Sequence, residues 1–85
     1  MPDSDAAPLV AILTTTASRE DALRIAETLV QRGLVACAQL SDIESVYRWK
    51  GALHREPECR LLLKTTRERY AEVEAALREL HPYDL

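Results

Sequence analysis

Four side chains in this sequence could bind a soft or borderline metal ion: Cys37, Cys59, His54 and His81. Thiolate and imidazole are the ligands that copper and zinc select in proteins. None of the four lies at a C-x-x-C, H-x-x-x-H or zinc-finger spacing, so no local motif predicts a metal site. Any such site must be assembled by tertiary structure or by a partner chain.

The position of a turn keeps the two cysteines apart. Extended stretches on both sides of Lys50-Gly51 predict a long antiparallel hairpin. With the turn centred there, residues whose numbers sum to about 102 face each other, so Cys37 lies near Thr65 and Cys59 near Ile43. The sulfurs are then separated by roughly 20 Å of strand, too far for a disulfide or a shared metal within one chain.

Other chemistry has weaker support. No nucleophile, base and orienting group occur in a supporting context, so an enzyme is not expected. The Thr14–Ser18 loop precedes a predicted helix, and a helix N-terminus with Arg19 beside it could bind an anion. Helix capping by Ser18 and strand termination explain the same residues.

The elements that position these residues follow from hydrophobic periodicity. Residues 9–14 predict a strand covered on both faces or nearly so, and residues 15–17 a connection. A helix is predicted over residues 19–32, with Gly33 as its C-terminal cap. Its expected buried stripe is Ala22, Ile25, Ala26, Leu29 and Val30. Strands are predicted over residues 34–40, 43–50 and 52–64, with an irregularity at Ser41-Asp42 and a bulge or an unpaired edge at Pro57.

The second helix completes a β-α-β-β-α order. Thr65 and Glu68 have the spacing of a capping box, and Pro82 ends the helix at His81. Its expected buried stripe is Tyr70, Val73, Leu77 and Leu80. This order predicts an α+β fold, a ferredoxin-like βαββα(β) sandwich with a long antiparallel hairpin and without its last strand.

Length and composition exclude several functions. The 85 residues allow one domain, which we expect over residues 9–85 after a disordered lead-in of residues 1–8. No apolar run approaches the roughly 18–20 residues of a membrane span, so no membrane partner is expected. A net charge of −3 and the absence of Phe argue against nucleic acid. Two cysteines without an export signal favour the cytoplasm.

Several short motifs, in their order along the chain, resemble the divalent-cation tolerance proteins of the CutA family. They are the Thr-rich loop after the first strand and the segments Leu34-Val35-Ala36-Cys37-Ala38-Gln39, Ser45-Val46-Tyr47-Arg48-Trp49-Lys50-Gly51, Leu63-Lys64-Thr65 and His81-Pro82-Tyr83-Asp84. The resemblance covers residues 9–84. The sequence differs from the family pattern at Asp84, where a Glu is usual, and it lacks the family's last strand and terminal helix.

The resemblance implies a non-enzymatic homotrimer whose β-hairpins cross between neighbours and which acts in tolerance of copper or another divalent metal ion. It places a metal site at Cys37 and His81, in a cleft between subunits. The expected cleft residues are Tyr47, Trp49, Lys64, Tyr83 and Asp84. For Tyr47 and Trp49, packing against another subunit is the favoured role, because aromatic side chains bury large areas with few rotamers.

Two other functions remain open. One is a small-molecule-binding signalling regulator similar to PII or ACT modules, which would use the Thr14–Ser18 loop as an anion site. The other is an enzyme similar to acylphosphatases, in which Arg19 would bind the substrate. Calorimetry with nucleotides and metals separates the first from metal binding, and an acyl phosphate hydrolysis assay tests the second.

Overall fold

A computed structural model describes residues 9–81 of the chain. Its elements are β1 (Leu9–Thr16), α1 (Arg19–Gln31), β2 (Cys37–Trp49), β3 (Ala52–Thr66), a short 3-10 turn (Arg67–Arg69) and α2 (Tyr70–Leu80). The three strands form one antiparallel sheet in the order β1-β3-β2. This arrangement is the α+β, ferredoxin-like fold that the element order predicted, and the predicted lead-in of residues 1–8 lies outside the described part.

The β2–β3 hairpin has a two-residue turn at Lys50-Gly51, as predicted. Both residues have positive φ angles, 52° and 78°, which is the type I′ geometry that matches the twist of the flanking strands. Trp49 pairs with Ala52, and the register continues without a break to Cys37 opposite Lys64. Facing residue numbers therefore sum to 101 (49 + 52), so the predicted pairings were wrong by one residue.

The uninterrupted register corrects two further predictions. No irregularity occurs at Ser41-Asp42, because these residues pair in sequence with Arg60 and Cys59. Pro57 lies opposite Glu44 without a bulge, and the pairing of β1 with β3 ends at Cys59. The alternative prediction for Pro57, an unpaired edge, is confirmed. β1 does not extend as far as Pro57, so that side of β3 has no partner strand there. A missing amide donor costs nothing there.

Both helices lie against one face of the sheet. The core consists of α1 and α2 residues packed on alternate residues of β3; its fully buried large side chains include Ile25, Leu29, Leu61, Leu63 and Val73. Ser18 caps α1 by accepting a hydrogen bond from the Asp21 amide at 3.1 Å. At the other end, Gly33 has φ 72°, and the Leu34 amide bonds the Leu29 carbonyl at 3.0 Å, which is a Schellman cap.

The helix predictions need three corrections. Val30 is 46% exposed, because the buried stripe of α1 ends at Leu29 and Val30 turns toward the edge of β2. Thr65 does not cap α2: β3 continues two residues further than expected, and Thr66 caps the 3-10 turn before α2 by accepting from the Arg69 amide. Tyr70 is 44% exposed, and Ala76 takes its place in the buried stripe.

The opposite face of the sheet is bare across the described residues. We call it the open face; it carries the odd-numbered residues of β1 and β2 and the even-numbered residues of β3. Leu9 and Leu13 of β1 are 68% and 63% exposed on it. The prediction that β1 is covered on both faces is therefore wrong for a single chain.

Candidate functional site

Four of the predicted site residues share the open face. Cys37 is half-buried at the start of β2, and Lys64 lies directly opposite it on β3. Tyr47 and Trp49 occupy the same face at the far end of β2. Ten residues of strand separate Cys37 from Tyr47, about 33 Å. One chain therefore brings Cys37 and Lys64 together, but it does not bring the aromatic pair to them.

The hairpin tip contains a polar cluster that sequence reasoning did not identify. The Tyr47 ring stacks on the His54 imidazole with centroids 5.3 Å apart, and its hydroxyl donates to the Glu56 carboxylate. Ser45 donates a second hydrogen bond to Glu58. These residues lie opposite or diagonal to one another on the open face. The alternation of polar and charged residues on both strands was the signal that could have revealed them.

The tip cluster changes the acidity of one group. The hydrogen bond to Glu56 raises the pKa of Tyr47 above its ordinary value of 10, and partial desolvation and the negative charges of Glu56 and Glu58 act in the same direction. Each cause favours the neutral phenol, because an ionised tyrosine would face two carboxylates without a compensating cation. Next to it, the Lys50 ammonium lies 5.8 Å from the centroid of the Trp49 ring, a cation–π contact.

His81 lies in a different part of the fold. It ends α2 with an extended backbone, as predicted, and its side chain is 8% exposed. The ring Nε2 lies 2.7 Å from the Thr15 carbonyl oxygen. Since a carbonyl only accepts, Nε2 carries the proton and donates. His81 thus ties the end of α2 to β1, and ligation of a metal through Nε2 would replace this hydrogen bond.

Cys37 and His81 do not meet within one chain. Thr15 pairs with Arg60, whereas Cys37 pairs with Lys64 on the other side of β3. Four residues of strand and two strand spacings separate these positions, on the order of 16 Å. Within residues 9–81, no three His, Cys, Asp or Glu side chains are grouped so that they could hold a metal ion. Tyr83 and Asp84 lie outside the described residues.

The remaining sequence candidates have structural surroundings of their own. Cys59 is buried in the core on the helix side, so the two cysteines lie on opposite faces of the sheet as well as five residues apart in register. This confirms that they cannot be bridged within a chain. His54 stacks on Tyr47 at the hairpin tip instead of being a free surface side chain.

Thr14, Thr15 and Thr16 belong to β1, so the predicted Thr14–Ser18 loop is shorter than expected, and the Thr16 and Ser18 hydroxyls already have partners. The Thr16 hydroxyl donates to the Ser18 carbonyl, and the Ser18 hydroxyl caps α1. Arg19 pairs with Asp42 at 3.3 Å. An incoming anion would have to displace these contacts, so the geometry favours the capping interpretation of this loop.

Neither helix among the described residues is long and apolar enough to cross a membrane. The charged side chains form scattered ion pairs in which the partners are substantially exposed: Arg24–Asp21, Arg32–Glu79, Arg55–Glu44 and Arg78–Glu74, in addition to Arg19–Asp42. Exposed pairs of this kind contribute little to stability. They provide no concentrated positive surface.

Comparison with known proteins agrees with this architecture. The family model described as "CutA1 divalent ion tolerance protein" matches residues 10–85. The divalent-cation tolerance protein CutA of Pyrococcus horikoshii is 32% identical over 77 residues, which are 91% of this chain and 76% of the relative. That of Thermotoga maritima is 36% identical over 76 residues, 89% of this chain and 75% of the relative.

Solved structures give the same result. CutA1 from Ehrlichia chaffeensis superimposes with a TM-score of 0.88 at 36% identity, covering 95% of this chain and 77% of that one. CutA from Synechococcus elongatus also has a TM-score of 0.88, at 39% identity, covering 94% of this chain and 71% of that one. With the sheet, both helices and the motifs in agreement, the chain belongs to the CutA1 family of divalent ion tolerance proteins.

Proposed function

We propose that the protein acts in tolerance of divalent metal ions as a non-enzymatic homotrimer that binds copper or another divalent ion in clefts between its subunits. The observation that carries this proposal is the distribution of the candidate residues on the open face. Cys37 and Lys64 lie at one end of that face and Tyr47 and Trp49 at the other. A neighbouring copy can place its aromatic tip next to the Cys37 end, which a single chain cannot do.

The exposed apolar surface supports assembly. Leu9, Leu13 and Trp49 are each at least 60% exposed on the open face. Leu9 and Leu13 lie near one end of this face and Trp49 at the other, and large apolar side chains exposed in this way give another chain surface to cover. A two-stranded ribbon that extends beyond its helices is also marginal alone in water, so contacts between copies would stabilise the tip. In this arrangement Cys37 of one copy and His81 of another supply the thiolate and imidazole ligands suited to copper or zinc.

The assembly is tested by sedimentation velocity at micromolar concentration. We expect a particle of three 9.6 kDa chains. A compact, cooperatively folded monomer at that concentration would contradict the homotrimer. The proposed compartment is the cytoplasm, supported by two cysteines that are both free thiols.

Metal binding is tested by calorimetry with Cu²⁺ or Zn²⁺ alone. We expect Cys37→Ser and His81→Ala to weaken binding at least tenfold, because each removes a ligand. The matched control Cys59→Ala removes a thiol that is buried on the helix side of the sheet, outside the proposed site, and it should leave binding unchanged. If the wild type and Cys37→Ser bind the metal ion equally well, Cys37 is not a ligand. If titration of the wild type produces no binding heat with either metal ion, the proposed metal site is contradicted. Far-UV circular dichroism verifies that each variant is folded.

A further inference from the structure

The open face carries rows of side chains where all three strands lie side by side. Across the strands, three successive rows are Thr15, Arg60 and Ser41; then Leu13, Leu62 and Gln39; then Ala11, Lys64 and Cys37. The middle member of each row belongs to β3, the central strand of the sheet. Along β3 the open face therefore presents a cation, an apolar side chain and a second cation in succession.

A depression of about 830 Å³ lies over the first two of these rows. Its lining includes Leu13, Gln39, Ser41, Arg60 and Leu62. The volume is within the range of small-molecule sites, roughly 300–1,000 Å³. The side chains of Gln39 and Ser41 are exposed, and an amide and a hydroxyl can both donate hydrogen bonds. The depression thus combines apolar walls with hydrogen-bond donors and a positive charge.

The positive charges of these rows are not neutralised by the described chain. Arg60 and Lys64 are exposed, and neither has an ion-pair partner among residues 9–81. The next side chain of β3 on this face toward the tip is Glu58, whose carboxylate accepts a hydrogen bond from Ser45 and does not pair with Arg60. None of the nine side chains in the rows is acidic. They form a basic surface on a chain whose net charge is −3.

The spacing of the two cations selects the shape of a ligand. Four residues of strand separate Arg60 from Lys64, about 13 Å between their α-carbons, with Leu62 between them. A guanidinium binds a carboxylate through two parallel hydrogen bonds, whereas an ammonium binds it as a point charge. With a hydrogen bond of about 3 Å at each end, a molecule that spans this gap has two carboxylates joined by a few methylene groups.

We propose that the open face binds an aliphatic dicarboxylate between Arg60 and Lys64. One carboxylate pairs with Arg60 and accepts a hydrogen bond from the Ser41 hydroxyl, and the other pairs with Lys64. The methylene groups lie on Leu62 and on Leu13, which is 63% exposed in the chain alone. The inference goes beyond the proposed function, because the ligand is an organic dianion and its binding requires no metal ion. It is also compatible with coverage of the open face by a neighbour, since burying two uncompensated cations is costly and a bound dianion compensates both.

The test is calorimetry of the full chain with adipate, at low ionic strength and without added metal ion. We expect binding, and we expect Arg60→Gln and Lys64→Gln each to weaken it about tenfold, because each removes the charge that binds one carboxylate. The matched controls are Arg67→Gln on the 3-10 turn and Lys50→Gln at the hairpin turn, which remove the same charges elsewhere and should leave binding unchanged. All four side chains are exposed, and far-UV circular dichroism verifies that each variant is folded.

Two further ligands separate this geometry from a general attraction of anions. Hexanoate has the length of adipate but one carboxylate, and malonate has two carboxylates that are too close together to contact both cations. Each should bind about tenfold more weakly than adipate. The proposal is overturned if the wild type does not bind adipate, if hexanoate, malonate or sulfate binds as tightly, or if Arg60→Gln binds adipate as well as the wild type does.

Metal titrations distinguish failure of this inference from failure of the proposed function. Arg60 is not among the proposed metal ligands, so Arg60→Gln should bind Cu²⁺ or Zn²⁺ as the wild type does. A wild type that binds adipate but neither metal ion would contradict the proposed metal site and support the dicarboxylate site. A wild type that binds metal ions but not adipate would contradict the dicarboxylate site alone.

Discussion

The two ends of the β2–β3 hairpin share one hydrogen-bonded ladder but differ in what covers them. At the base, Cys59, Leu61, Leu63 and Thr65 are all at most 2% exposed, because both helices pack on alternate residues of β3. At the tip, Trp49 and Leu53 are 60% and 67% exposed. The backbone pairing is continuous through both. Pairing alone therefore does not make a buried sheet; a second layer does, and the described chain supplies it only at the base.

The largest expected effect is at the base. Leu61 is fully buried against the helices, so Leu61→Ala should lower the free energy of unfolding by about 2–5 kcal/mol through lost transfer energy and a residual cavity. Urea unfolding measures it. Leu53→Ala makes the same change at the tip. When the protein is dilute enough to be monomeric, this variant should lower the free energy of unfolding by less than about 0.5 kcal/mol. Equal losses at both positions would mean that the two ends are equally covered in a single chain.

The next effect concerns the tip when copies associate. Trp49→Ala should weaken self-association by about 2 kcal/mol, because a large exposed aromatic at a central contact is a typical hot spot. Since association stabilises the folded state by mass action, the wild-type Tm should rise with protein concentration and that of the variant should rise less. Glu74→Ala, a change on α2 away from the tip, is the control. A wild-type Tm that is independent of concentration would contradict the coverage of the tip by other copies.

A smaller effect tests the turn itself. Gly51 has φ 78° and open space around its α-carbon, so Gly51→Ala introduces backbone strain without a steric clash. We expect a loss of about 1 kcal/mol in the free energy of unfolding. Gly51→Asn should lose less, because Asn adopts the left-handed conformation more readily. If the two variants were equally stable, the type I′ geometry would not be what sets the register of the tip.

The smallest effect is electrostatic and is read from absorbance of the ionised phenol. Glu56→Gln should lower the pKa of Tyr47 toward 10, because Glu56 is the main cause of its elevation. Glu58→Gln should lower it less, and Glu44→Gln, on the other face of the ribbon, should not change it. An unchanged tyrosine titration in Glu56→Gln would mean that the tip hydrogen bond does not persist in solution.

The sign of the linked stability follows from the direction of this shift. A phenol whose pKa is raised on folding contributes stability at pH values below its unfolded pKa near 10. That contribution is lost as the pH rises from about 10 through the raised value. Glu56→Gln should make stability less sensitive to pH in this alkaline range, and it should leave the neutral range unaffected by this group.

Local sequence determined most of the elements. The apolar spacing of α1, its Ser18 cap and Gly33 defined the helix to within a residue, because capping and periodicity act within one turn. The Lys50-Gly51 pair predicted the position of the hairpin turn, and Pro82 predicted that α2 ends at His81. The family motifs also indicated the family, which the comparisons confirm. The one-residue error in register arose because composition locates a turn but does not say how many residues it contains.

Tertiary structure decided which faces are covered and which residues meet. Periodicity suggested that β1, Val30 and Tyr70 are buried, but burial depends on whether a second layer lies over each position, and Leu9, Leu13, Val30 and Tyr70 face away from the core. Likewise the motifs assigned Cys37, His81 and Tyr47 to one site, whereas these three residues lie far apart in a single chain. An apolar pattern is local to a strand or helix; what covers that strand or helix is set by chain segments distant in sequence, or by another copy.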